Sequence, residues 1–168
     1  MDHDIGVLII RLALGPMLMA HGWNKTFGPD GLAGTARWFE ALGLRPARLH
    51  ARLAAGAELA AGLALTLGFL TGLTAAAFVG LMTVAALTDH RGKGYFVFKG
   101  GCEYTVLIAM VAAGLAATGP GGWSADELLG LDLSGAWWAA AAVLAGLTAG
   151  LALMTLGHRR SPAPRAAP

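Results

Sequence analysis

Long apolar segments dominate this chain and decide what it can fold into. Five of them, at about residues 5–23, 51–70, 73–88, 102–118 and 135–156, are separated by polar or Gly-rich stretches. A helix of about 20 apolar residues crosses a hydrocarbon layer of roughly 30 Å. The chain is 56% hydrophobic and 13% charged, whereas a soluble domain is about a quarter charged. We therefore predict an all-α integral membrane protein with a bundle of five transmembrane helices.

The basic residues predict the orientation of this bundle. Alternation of the five segments places the N-terminus, a turn at residues 71–72 and the loop at residues 119–134 on one side, which has no Lys or Arg. Every basic residue except Arg11 falls on the other side: Lys25, Arg37, Arg45, Arg48, Arg52, Arg91, Lys93, Lys99, Arg159, Arg160 and Arg165. Since positive residues collect in cytoplasmic loops, we predict a multi-pass plasma-membrane protein with its N-terminus outside and its C-terminus in the cytoplasm.

Two of the segments outside the five predicted spans carry structural predictions of their own. In the first cytoplasmic loop, Leu32, Ala36, Phe39 and Leu42 recur at helical spacing. This pattern predicts a short amphipathic helix in the membrane interface. The tail at residues 158–168 is rich in Arg, Ala and Pro, and we predict that it is disordered in the cytoplasm. Residues 1–157 would then form a single transmembrane bundle.

Two charged residues fall deep inside predicted spans. Arg11 lies about 9 Å into the first span from the outer end, and Glu58 lies about 10 Å into the second span from the cytoplasmic end. Charges in a bilayer usually face the bundle interior and pair with one another. We therefore expect a buried Arg11–Glu58 pair, which either fixes the register of the two helices or contributes to function.

A second polar group is predicted near the cytoplasmic interface. His21 and Lys25 are four residues apart and share a helix face, and Glu103 and Tyr104 begin the fourth span. His21 and Glu103 could bind a quinone carbonyl and pass its proton. The alternative for Lys25 is that its side chain only reaches toward lipid headgroups.

Several other kinds of site are not supported. Cys102 is the sole cysteine, so an intrachain disulfide, a dithiol pair and a cysteine-based zinc site are excluded. Of the remaining histidines, His3, His50, His90 and His158 show no spacing suited to haem or a metal. No basic cluster with interleaved aromatic residues indicates nucleic acid. We predict that Cys102 is a small buried side chain and not a redox thiol.

A succession of short motifs resembles the DoxX family of small bacterial membrane proteins. The motifs occur in the family's order: RLALG at residues 11–15, HGWNKTFG at 21–28, GLAGTARWFEALG at 31–43, AELAAG at 57–62, GFLTG at 68–72, GCEY at 101–104, GPG at 119–121 and SAD at 124–126. The resemblance covers about residues 5–130. It leaves out the fifth span, and many relatives look like four-span proteins that end soon after the Ser-x-Asp motif. The predicted bundle is therefore a four-helix DoxX-like core with a C-terminal fifth helix.

The resemblance implies a place in redox chemistry. DoxX-like proteins include small subunits of quinol oxidase and of thiosulfate:quinone oxidoreductase, and some are linked to a sulfurtransferase and a superoxide dismutase in oxidative-stress defence. The matched residues Arg11, His21, Lys25, Glu58 and Glu103 are the ones to test. We expect a quinone-linked subunit in the bacterial cell membrane, with homo-oligomers as a further expectation. A non-catalytic scaffold that recruits soluble redox enzymes, or a small-solute transporter, are the alternatives.

Overall fold

The computed structural model describes residues 1–157, and within them the chain is all α-helical with no strand. The helices are α1 (Asp2–Phe27), α2 (Gly31–Ala41), α3 (Ala47–Leu67), α4 (Thr71–Leu87), α5 (Glu103–Thr118), the short α6 (Ala125–Leu128) and α7 (Ala136–Gly157). A single 3-10 turn, Val97–Lys99, precedes α5. The all-α prediction is confirmed, and the predicted tail at residues 158–168 lies outside the described residues.

Glycine lets α1 and α3 pack with their backbones in close approach. The buried residues of α1 recur every three or four positions, at Val7, Arg11, Gly15, Leu18 and Gly22. A Cβ at Gly15 would overlap the hydroxyl of Thr66 and lie 2.7 Å from the carbonyl oxygen of Gly62. Small residues at such crossings let membrane helices approach one another. This close packing fixes which residues of α1 and α3 lie at the same level, and it therefore fixes the positions of their buried charged side chains.

The second half of the bundle forms around α4, which packs against both α5 and α7. Gly146 and Gly150 of α7 face α4, where a Cβ at Gly146 would lie 2.6 Å from both the carbonyl oxygen of Ala76 and the Cβ of Val79. Phe78 of α4 is fully buried in the core between the two halves. The small residues spaced four apart on α7 therefore pack within the bundle.

The turn between α3 and α4 comes earlier than the sequence indicated. The second apolar segment was expected to reach residue 70 and to turn at residues 71–72, but α3 ends at Leu67 and α4 begins at Thr71. Gly68 ends α3 in the left-handed conformation with φ of 64°, which glycine adopts without steric cost. The fully buried Asp126 accepts hydrogen bonds from the backbone N–H groups of Leu70 and Thr71, at 2.7 and 2.8 Å.

The helices differ in how well they suit a bilayer. Two are long and apolar enough to cross it, α1 with a mean hydropathy of 1.7 and α7 with 2.0, while α4 and α5 are apolar but shorter. The remaining long helix, α3, carries Arg48, Arg52 and Glu58. The expected amphipathic helix is present as α2, which buries Ala36 and Phe39. These features agree with a helical membrane protein.

Candidate functional site: an apolar cavity with a polar end

Arg11 is buried at the end of the bundle where α3 terminates, with 2% of its surface exposed. Its Nε and Nη2 donate to the carbonyl oxygens of Leu65 and Thr66, at 3.1 and 2.9 Å. Its Nη1 donates to the carbonyl oxygens of Pro120 and Trp123, at 2.8 and 2.9 Å. The last carbonyls of a helix have no partner inside the helix, and their partial negative charge attracts a cation. Arg11 therefore joins α1, the end of α3 and the following loop.

The expected pair between Arg11 and Glu58 does not form. Both residues are buried, but Arg11 is level with Leu65 and Thr66, about 11 Å further along α3 than Glu58. The guanidinium binds backbone carbonyls at its own level along α3. Because every residue has a backbone carbonyl, these partners could not be recognised from the sequence. Glu58 pairs instead with Lys25, whose Nζ lies 2.7 Å from both carboxylate oxygens.

The Lys25–Glu58 pair follows from the length of α1. This helix continues to Phe27, so Lys25 extends the buried stripe of Leu18 and Gly22 toward α3. The side chains of Lys25 and Glu58 are only 13% and 10% exposed. At a site so largely withdrawn from solvent, the attraction between the two charges offsets part of the free-energy cost of desolvating each of them. The stripe at intervals of three and four residues is the sequence signal that could have identified this pairing.

A cavity of about 410 Å³ lies beside this ion pair. Side chains from α1 to α5 and from α7 line it, and most of them are apolar, among them Met17, Leu81, Ile108 and Leu153. Binding cavities for small organic ligands have volumes of roughly 300–1,000 Å³, with a few polar groups that orient the ligand. This cavity is therefore large enough for a substituted aromatic ring.

The polar lining of the cavity comes from several helices. Three of the predicted ligand-binding residues, His21, Lys25 and Tyr104, line it, and Glu58 lies beside them. The hydroxyl of Tyr104 on α5 donates to the sulfur of Met17 on α1. The lining also contains His50, Asp89 and His90. Sequence reasoning did not place these last three at the site, because only the packing of separate helices brings them together.

Glu103 is the one predicted ligand residue that is not found in the cavity wall. Its Oε2 accepts a hydrogen bond from the backbone N–H of Val97 at 2.9 Å, and its own N–H donates to the carbonyl oxygen of Tyr95 at 2.8 Å. Glu103 thus stabilises the loop between α4 and α5. Its neighbour Cys102 is half-buried. Within residues 1–157, no group of three His, Cys, Asp or Glu side chains is placed to hold a metal ion.

The opposite end of the bundle is closed by polar contacts of the loop after α5. Asp4, just before the first predicted span, accepts a hydrogen bond from the backbone N–H of Gly122 at 2.8 Å. This hydrogen bond stabilises the carboxylate and lowers the pKa of Asp4 below its ordinary value. The same loop supplies the Pro120 and Trp123 carbonyls to Arg11. Asp4 and Arg11 at this end therefore bind the loop backbone, whereas Lys25 and Glu58 beside the cavity bind each other.

Comparison with known proteins supports the membrane assignment. Residues 6–91 match the family model described as DoxX. The chain is 33% identical over 126 residues to the "Inner membrane protein YqjF" of Escherichia coli (strain K12), covering 75% of this chain and 93% of that protein. No solved structure is significantly similar to the chain. The family match spans Arg11 and His21, and the Lys25–Glu58 pair lies wholly within it.

Proposed function

The chain belongs to the DoxX family of membrane proteins, and on this premise we propose that it is the quinone-binding subunit of a membrane redox system. The observation that supports this proposal is the apolar cavity with Lys25, Glu58, His21 and Tyr104 at its wall. A quinone has an apolar ring and tail and two polar oxygens, and the cavity offers surfaces of both kinds.

Each polar residue has a role in this proposal. Lys25 uses two of its three N–H groups on Glu58, so one N–H stays available for a quinone oxygen. His21 and the Lys25–Glu58 pair supply and accept protons. A quinone becomes a quinol by taking up two electrons and two protons, and the electrons come from a partner protein. A sulfurtransferase and a superoxide dismutase are the partner classes that the family resemblance suggests.

The proposal includes a topology. The helices α1, α3, α4, α5 and α7 cross the membrane, with α2 in the cytoplasmic interface, the N-terminus outside and the C-terminus inside. The distribution of Lys and Arg supports this orientation. In this arrangement Lys25, His90 and the loop before α5 lie near the cytoplasmic surface, where protons and soluble partners are available.

The test is whether the purified protein binds quinone through this cavity. Lipid-soluble molecules are extracted from the detergent-purified protein, and their quinone content is measured by mass spectrometry. Binding of an added decyl-substituted benzoquinone is measured by calorimetry. Replacing Ala54 by Phe would fill part of the cavity wall and should reduce binding at least tenfold. Ala60→Phe is the matched control, because Ala60 is exposed on the same helix and is not part of the lining.

Other outcomes would support the alternatives. If the folded protein neither co-purifies with quinone nor binds added quinone, the proposed function is overturned. Capture of soluble redox enzymes without quinone would then favour a scaffold. Flux of a solute into proteoliposomes that Glu58→Gln abolishes would favour a transporter.

A further inference from the structure

A single hydrogen bond fixes the tautomer of His90 in the cavity wall. Its Nδ1 lies 2.6 Å from the carbonyl oxygen of Gly100. A carbonyl can only accept, so Nδ1 carries the hydrogen, and Nε2 of the neutral ring is left as an acceptor. Within the described part of the chain, Nε2 has no hydrogen-bond partner. His90 therefore presents one unused acceptor beside the cavity that it lines.

The loop that holds the Gly100 carbonyl is fixed by its own backbone hydrogen bonds. The N–H of Gly101 donates to the carbonyl of Phe96 at 2.9 Å, and the N–H of Cys102 donates to that of Gly94 at 3.1 Å. The N–H of His90 itself donates to the carbonyl of Ala85 at 3.2 Å, at the end of α4. Both partners of the His90–Gly100 contact are thus held in place, and the ring has a defined orientation.

Acceptors also predominate among the other polar groups of the cavity. Tyr104 donates its hydroxyl hydrogen to Met17, so its oxygen is left to accept. His50 contacts the carbonyl of Arg45 through Nε2 at 3.2 Å, which leaves Nδ1 as an acceptor, and this Nδ1 is buried without a partner. Lys25 commits two N–H groups to Glu58 and retains one. A ligand that donates hydrogen bonds therefore suits this lining better than one that only accepts them.

We propose that Nε2 of His90 accepts a hydrogen bond from a ligand hydroxyl, and that the cavity binds a hydroquinone more tightly than the corresponding quinone. The inference rests on the proposed function and names the redox state that the site prefers. A quinone carbonyl facing Nε2 would oppose two acceptors, and no hydrogen bond would form between them. A hydroquinone hydroxyl in the same place donates to the ring nitrogen. One such hydrogen bond corresponds to about a tenfold difference in affinity.

The test compares two ligands on two variants. A decyl-substituted benzoquinone and its hydroquinone are titrated anaerobically into detergent-purified protein by calorimetry. In His90→Asn, the amide nitrogen takes the place of Nδ1 and can still donate to Gly100, but no atom replaces Nε2. The control is His3→Asn, because His3 is exposed at the opposite end of α1.

The expected result is hydroquinone binding about tenfold tighter than quinone binding in the unmodified protein and in His3→Asn. His90→Asn should lose most of that difference by weakening hydroquinone binding alone, which a purely structural role for His90 would not produce. Equal affinities for the two forms in the unmodified protein, or equal weakening of both by His90→Asn, would overturn the inference and leave the proposed function intact. If neither form binds, the proposed function itself fails.

Discussion

The ammonium group of Lys25 lies 2.7 Å from both carboxylate oxygens of Glu58 and connects α1 to α3 beside the cavity. This pair is the only salt bridge in residues 1–157 whose two side chains are both largely buried. It has two consequences that can be separated by experiment. One is mechanical, since it ties two helices together, and the other is chemical, since it places a proton donor and acceptor at the cavity wall.

The first prediction concerns the stability that depends on this pair. We expect Lys25→Met and Glu58→Met to lower the free energy of unfolding by about 3 kcal/mol each, because each leaves an uncompensated charge. The double variant should lose clearly less than the sum of the two. Reversible unfolding in mixed micelles measures this coupling. The exposed pair Arg37–Asp30 is the control, with an expected coupling of at most about 1 kcal/mol; a similar value for Lys25–Glu58 would contradict the prediction.

The second prediction concerns Arg11. A lysine at this position keeps the charge, but its single nitrogen cannot reach both the α3 carbonyls and the loop carbonyls. We expect Arg11→Lys to lower the free energy of unfolding by about 3 kcal/mol, since hydrogen bonds from a charged donor contribute about 1.5–3 kcal/mol each. Arg48→Lys changes an exposed residue and should have an effect within about 0.5 kcal/mol. Equal melting temperatures for the two variants would show that the four carbonyl contacts are dispensable.

The third prediction compares two glycines in the helices α1 and α3. Gly15→Ala should destabilise the protein by at least about 1–3 kcal/mol, because the added methyl group would collide with Thr66 and Gly62. Gly56→Ala adds a methyl group that would have no atom within 4 Å apart from the adjacent backbone of its own helix. It should leave stability unchanged or raise it by up to about 1 kcal/mol, since alanine favours helix. Thermal unfolding that ranked the two variants in the reverse order would argue against the close α1–α3 crossing.

The fourth prediction tests the topology with thiol reagents. In a Cys102→Ala background, a cysteine replacing Glu127 should react with an impermeant maleimide added to intact cells. A cysteine replacing Lys93 should react only after the cells are opened. Both positions are exposed in the structure, so accessibility to the reagent depends on the side of the membrane. Labelling of both in intact cells would exclude the proposed orientation.

The sequence predicted the helices better than it predicted their partners. Apolar length and helical spacing indicated the all-α class and the amphipathic helix α2, because each depends on the residues of a single segment. The turn after α3 was expected too late, since it depends on Asp126, which lies far along the chain and binds the N–H groups of Leu70 and Thr71.

The candidate site was predictable only in part, for a similar reason. His21, Lys25 and Tyr104 could be placed at one end of the bundle from topology alone, and they line the cavity. The orientation of the His90 ring could not be predicted, because it depends on the carbonyl of Gly100, ten residues further along the chain in a folded loop. The predicted pairing of Arg11 was wrong because a search for opposite charges ignores the backbone carbonyls at the end of a helix.

The way Arg11 is bound has a consequence for how this chain can change over time. Its partners are main-chain oxygens of Leu65, Thr66, Pro120 and Trp123, and every amino acid supplies the same oxygen at those positions. Substitutions there can accumulate without any compensating change at Arg11, as long as the backbone keeps its path. Correlated substitution between positions would therefore fail to reveal one of the most extensively hydrogen-bonded side chains in the bundle.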